Sequence, residues 1–164
     1  MRKVIIDTDL CSDDAAALLL ALLDETTQVL AVTTVSGGVS LEQATKNALM
    51  TCEIAGADVP VYRGAARGLF REPFATTVIH GADGMGDCGL IHPATRPVEG
   101  LDACDAILRL VRENPGEIDL IELAPATNVG LAVLRDRSTM ERLRSITVMG
   151  TGGFGTGNIT PVAE

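Results

Sequence analysis

A chain of 164 residues that is 46% hydrophobic carries enough apolar material for one domain with a real core, and no stretch of it is long and apolar enough to span a bilayer as a helix. With 22 acidic against 13 basic residues, a net charge of −9, one Tyr and no Trp, it lacks the basic stripe and stacking aromatics of a nucleic-acid surface, and a small neutral or cationic ligand suits it better. Cys11, Cys52, Cys88 and Cys104 are scattered, form no C-x-x-C pair and have no His at metal-finger spacing, so neither a zinc site nor a disulfide framework is indicated.

Met1-Arg2-Lys3 runs into an apolar segment without an h-region or cleavage site, so no secretory signal is expected and the cytoplasm is the expected compartment. That segment reads as a strand over 3–6 and is followed by a helix over 15–23. A strand over 29–35 leads to a helix over 41–55, opened by Ser40 with Gln43 three residues on as a capping box and closed by Gly56. Strands over 59–62, 118–123 and 145–149 and helices over 101–113 and 128–134 complete the pattern. The alternation predicts an α/β fold, a single domain over 1–164 with a mainly parallel sheet flanked by helices, right-handed crossovers and ligand groups at the strand carboxyl ends. Residues 63–100 break the rhythm: this Gly- and Pro-rich segment contains His80-Gly81-Ala82-Asp83-Gly84-Met85-Gly86 and reads as a functional loop over the site. Residues 151–158 are Gly-rich, and 159–164 begin an element with no helix after it to cover the last strand. The expectation is a truncated core with apolar sheet surface exposed at that end.

Asp7, Asp9, Asp13 and Asp14 sit where the first strand stops and the first helix begins. In a parallel sheet this turn faces the ligand crevice. At an effective dielectric of about 20 and separations of roughly 6 Å, each ionised pair costs on the order of 3 kcal/mol, so the cluster needs a counter-charge or protons. Oxygen donors without a His or Cys pair favour a hard divalent ion, and Ca²⁺ tolerates carboxylate-rich, irregular geometry better than Mg²⁺. Helix capping accounts for Asp13 or Asp14, which the helix dipole favours in a first turn, but not for Asp7 and Asp9. Cys11 lies inside this loop, where negative charge weakens a thiol as a nucleophile.

The string Asp7-Thr8-Asp9-Leu10-Cys11-Ser12-Asp13-Asp14-Ala15 resembles the N-terminal signature of the inosine-uridine-preferring nucleoside hydrolases, D-x-D-x-x-x-D-D-A after a strand. Thr33-Thr34-Val35-Ser36-Gly37, His80-Gly81-Ala82-Asp83-Gly84, Pro125-Ala126-Thr127-Asn128, and Met149-Gly150 with Gly157-Asn158 through Val162-Ala163-Glu164 agree with the same family in order. The resemblance covers the whole chain but about the first half of a family member. It implies a Rossmann-like core and hydrolysis of the N-glycosidic bond of ribonucleosides to ribose and free base. By resemblance, Asp9, Asp14 and the backbone carbonyl of Thr127 would bind Ca²⁺, with a further aspartate from the absent half. Asp9 would also be the general base for a water attacking C1′ through an oxocarbenium-like transition state. Asp13, Asn158 and Glu164 would hold ribose hydroxyls with Met149 packed nearby, and His80 would donate to the leaving base. Family resemblance also implies a homo-oligomer, dimer or tetramer. Two departures stand out: Gly38 occupies the place of a usual ribose-contacting Asn, and Ala126 replaces a common Leu.

Two other readings compete. In a haloacid-dehalogenase-like phosphatase Asp7 would attack phosphorus with Mg²⁺ assisting, but the Asp13-Asp14 pair and the later motifs would go unexplained. In a non-catalytic remnant, metal or ribose binding would survive without turnover.

Overall fold

In the computed structural model, which describes residues 1–70, 77–89, 91–92, 94–150 and 157, the segment Val4-Ile5-Ile6 is the middle of β1 (Arg2–Thr8). It is flanked by β2 (Thr27–Thr34) and β4 (Ile118–Glu122), with β3 (Val61–Arg63) and β5 (Ser145–Val148) at the two edges. Every pairing is parallel, as the alternation predicts, and the order is β3-β2-β1-β4-β5. The central strands are covered on both faces, so they read as unbroken apolar runs rather than as period-two patterns.

Val4, Ile6 and Val32 face Leu18 of α1 (Ser12–Leu23) and Ala48 and Cys52 of α2 (Leu41–Ile54). Ile5, Ala31 and Leu120 face Ile107 and Val111 of α4 (Ala103–Glu113) and Val129 and Ala132 of α5 (Thr127–Arg135). Two short helices, α3 (Thr77–His80) and α6 (Arg137–Met140), complete the described elements. Each fully buried Ile or Leu contributes about 1.5–3 kcal/mol. Among the described residues no helix is long and apolar enough to cross a membrane.

Local chemistry sets the boundaries. Ser40 Oγ accepts from Gln43 N (3.2 Å), but Gln43 Nε2 donates to Asn47 Oδ1 (2.9 Å) instead of serving a reciprocal capping box. Gly56, at φ +63°, closes α2 as expected. The helix expected over 101–113 starts at Ala103, because Asp102 is its cap and accepts from Cys104 N (2.9 Å). The residues of β5 are all exposed, Ile146 and Val148 among them.

Sequence-adjacent strands run outward from β1 through β2 to β3, then the chain crosses back to β4 and β5 on the other side. The order therefore reverses between β1 and β4. In open α/β sheets the crevice outside the carboxyl ends at that reversal is where ligands bind, and β1 delivers the aspartates there.

Candidate active site

The turn after β1 is built by hydroxyl and amide side chains. Leu10 is buried in the left-handed region (φ +40°), a conformation that costs a non-glycine residue about 1–2 kcal/mol. Two contacts offset that cost: Leu10 N donates to Thr8 Oγ1 (2.8 Å), and Asn47 Nδ2 donates to Leu10 O (3.0 Å). The Thr8 hydroxyl in turn donates to Asp14 Oδ2 (2.8 Å). Asp14, in the first turn of α1, is buried against Asp9; burial first, then the neighbouring Asp9 carboxyl, push Asp14 up to about 8, while the Thr8 hydroxyl pulls it down. Asp9 Oδ2 accepts from Gly38 N (2.5 Å). A β-carbon on residue 37 would lie 2.1 Å from that same oxygen, so the close approach of Asp9 to this loop requires Gly37.

A second layer of acids lies beneath. Asp7 is fully buried; its Oδ1 accepts from Thr33 Oγ1 (2.5 Å) and Asn128 Nδ2 (2.8 Å), while Oδ2 has no partner among the described residues. Burial raises Asp7 to about 6 against the pull of these two donors. Glu122 pairs with Asp7 in the register of β1 and β4, is also buried, and neither of its carboxyl oxygens has a partner among the described residues. Burial, then the charge of Asp7, push it up to about 7. Asn128 ties this layer together: Nδ2 also donates to Thr34 O (3.0 Å), and Oδ1 accepts from Ala65 N (2.9 Å).

His80, the last residue of α3, reaches back to the aspartate turn. Its Nδ1 lies 3.0 Å from Ser12 Oγ and 3.8 Å from Asp13 Oδ1. Asn47 joins the two loops through Nδ2, which donates to Asp83 O (2.9 Å) as well as to Leu10 O. Beside Gly38 opens a cleft of about 420 Å³ lined by Ser36, Ser40, Gln43, Arg67, Thr77 and Ala82 among others.

The residues singled out from sequence fall into three groups. Asp9, Asp13, Asp14 and His80 converge on one turn, Asp13 with an exposed side chain. Thr127 opens α5 next to Asn128, and Met149 follows β5, its N–H donating to Glu122 O (2.9 Å), so both sit at the same end of the sheet. Asn158 and Glu164 lie outside the described residues. Ser12, Asn47, Glu122 and Asn128 gained no role from sequence. Of these, Asn128 is the last residue of Pro125-Ala126-Thr127-Asn128, and Ser12 stands in the aspartate string at a position its pattern leaves open. Cys11 is buried at the start of α1, and Cys52 is a core thiol pushed up to about 11 by burial.

The donors suit a hard cation. A buried carboxyl raised by an adjoining carboxylate, as Asp14 is by Asp9, is the situation a divalent ion reverses. Among the described residues no three His, Cys, Asp or Glu form a group that could hold a metal ion by themselves.

Comparison with known proteins identifies the family and the fold. The family model "Inosine-uridine preferring nucleoside hydrolase" matches residues 4–164, and the chain belongs to that family. Uridine nucleosidase 1 of Arabidopsis thaliana is 40% identical over 99% of this chain and 49% of its own length. A solved plant nucleoside hydrolase superposes with a TM-score of 0.92 at 37% identity, covering 99% of this chain and 52% of that one. The purine-preferring ribonucleoside hydrolase from Gardnerella vaginalis gives 0.92 at 27% identity, over 98% and 52%. The chain thus spans about half the length of the curated relatives it matches.

Proposed function

We propose that this chain carries the aspartate half of a calcium-dependent site that hydrolyses the N-glycosidic bond of ribonucleosides to ribose and free base. The observation that carries the reading is the pairing of Asp9 with buried Asp14 at the carboxyl end of the central strand, beside the sheet's reversal. Asp9, Asp14 and the Thr127 carbonyl would hold the Ca²⁺, which when bound lowers the pKa of water and offsets the charge of the two carboxylates.

The chain's own residues do the rest. Asp9, held at Oδ2 by the Gly38 amide, accepts the proton of the attacking water. The carboxylates of the turn stabilise positive charge developing on the sugar as the bond to the base breaks. Asp13, exposed at the rim, takes ribose hydroxyls together with Asn158 and Glu164, and Met149 packs against the sugar. His80 donates to the departing base. The named relatives divide between uridine and purine preference, so the proposal is confined to ribonucleosides as a class.

A homo-oligomer, dimer or tetramer, and a cytoplasmic setting belong to the same reading, the exposed apolar residues of β5 offering a surface for association. A phosphatase with Asp7 as nucleophile loses support, because that carboxylate is fully buried and cannot meet a phosphoryl group.

Calorimetric titration with Ca²⁺, followed by release of base from inosine and uridine, tests the proposal. Binding with turnover upholds it. Binding of Ca²⁺ or ribose without turnover favours a non-catalytic remnant, and absence of both removes the calcium site.

A further inference from the structure

We propose that Ser12 is a positioning residue for His80: its hydroxyl, bonded to Nδ1, fixes the imidazole so that the proton rests on Nε2 and is offered to the leaving base. The inference deepens the hydrolase reading and takes its purpose from it.

The geometry is specific to one ring nitrogen. Ser12 Oγ lies 3.0 Å from Nδ1, and Asp13 Oδ1 lies 3.8 Å from the same atom, beyond hydrogen-bond reach. Among the described residues both of these ring contacts fall on Nδ1. The backbone on both sides is held: Gly86 N donates to His80 O (2.7 Å), and Asn47 bridges Leu10 O and Asp83 O. Ser12 is the first residue of α1, so its side chain is anchored to a regular element next to Asp13 and Asp14.

A hydroxyl suits this place in a way a carboxylate does not. Unlike a carboxylate it can donate to Nδ1 of a neutral imidazole, and in doing so it leaves the single ring proton on Nε2. Toward an imidazolium it rotates and accepts from Nδ1–H. In both states Nε2–H remains a donor toward a base acquiring negative charge as its bond to C1′ breaks. Asp13 can only accept; acting alone it would draw the ring proton to Nδ1 and turn Nε2 into an acceptor.

The test combines a spectroscopic and a kinetic measurement on Ser12→Ala and Ser12→Thr. With only two histidines in the chain, His92→Gln identifies the His80 signals in a long-range ¹H–¹⁵N correlation recorded where imidazole is neutral. The expected result is an Nε2–H tautomer in the parent, a shift toward Nδ1–H in Ser12→Ala and recovery in Ser12→Thr. In turnover, Ser12→Ala should lower kcat for inosine and uridine by about tenfold, the worth of one hydrogen bond, with KM little changed. A 4-nitrophenyl riboside, whose leaving group needs no donor, should react within about twofold of the parent rate.

A parent already in the Nδ1–H form, a tautomer indifferent to Ser12→Ala, or equal losses on both substrate types overturns the inference. The spectroscopic arm needs no turnover. A tautomer shift in a chain inactive toward every substrate would uphold the Ser12 contact and sink the hydrolase reading, whereas full activity with an unmoved tautomer does the reverse.

Discussion

Replacing Asn128 by Ala tests whether one amide holds the two halves of the site together. The change deletes three hydrogen bonds at once: to Asp7 Oδ1 (2.8 Å), to Thr34 O (3.0 Å) and from Ala65 N (2.9 Å). The loss is moderated because Asp7 Oδ1 keeps the Thr33 hydroxyl, Thr34 O keeps Gly64 N, and Ala65 is half-buried, within reach of water. At about 1 kcal/mol for each bond, the expected destabilisation is about 3 kcal/mol. For a domain of this length that lowers Tm by about 9 °C. With one Tyr and no Trp in the chain, far-ultraviolet circular dichroism during urea unfolding in calcium-free buffer is the suitable readout. The m-value should stay unchanged. Asn128→Asp sharpens the test, since it keeps the acceptor for Ala65 N but sets a second buried carboxylate against Asp7. It should be less stable than Asn128→Ala at pH 8 and recover toward pH 4, where the pair can hold protons. A loss under 1 kcal/mol for Asn128→Ala, or equal stability of the two variants at pH 8, would show that the Asn128 amide does not hold this layer together.

Four further outcomes are expected. Gly37→Ala would drive its β-carbon to 2.1 Å from Asp9 Oδ2 and so displace Asp9; turnover should fall by about 100-fold while the melting temperature moves by only a few degrees. Glu122, raised by burial from 4.5 to about 7, contributes stability that is full below pH 4.5 and lost as pH rises through 7. Urea unfolding of Glu122→Gln should therefore match the parent near pH 4 and exceed it at pH 8 by no more than about 3 kcal/mol. Asp14→Asn removes a buried acid raised to about 8, so thermal melts at pH 9 without metal should show a more stable protein, and calorimetry should show no calcium heat. A site built to bond ribose hydroxyls leaves polar groups unpaired with a deoxy sugar, so kcat/KM for 2′-deoxyinosine should fall about 10⁴-fold below inosine; near-equal values would remove Asp13 from the sugar.

The architecture was legible because its signals are local. Strands expected over 3–6, 29–35, 118–123 and 145–149 are found at Arg2–Thr8, Thr27–Thr34, Ile118–Glu122 and Ser145–Val148. Strand β1 runs longer than its apolar residues because pairing with both neighbours carries Asp7 and Thr8 into the ladder, something hydrophobicity cannot announce. The strand expected over 59–62 is found at Val61–Arg63, its partner positions Val32, Thr33 and Thr34 setting where pairing starts. The short helices α3 and α6 lie in segments with too few turns for a hydrophobic period to develop.

The site divides along a similar line. Asp9 and Asp14 announced themselves by crowding, since four acids in eight residues demand a counter-charge whatever the fold. Glu122 gave no such warning: in sequence it is one acid in an ordinary strand, and only the β1–β4 register sets it against Asp7. The two acids together carry three buried oxygens that have no partner among the described residues. Burial of an unpaired carboxylate costs several kcal/mol unless the group keeps a proton. The sheet therefore places its least stable residues directly beneath the turn that gathers Asp9 and Asp14, with Asn128 and Thr33 the donors that hold Asp7 in place. A fold selected for stability alone would fill positions 7 and 122 with apolar side chains like the Ile5 and Leu120 two residues before them. That acids stand there instead ties the strain of this layer to the chemistry of the turn above it.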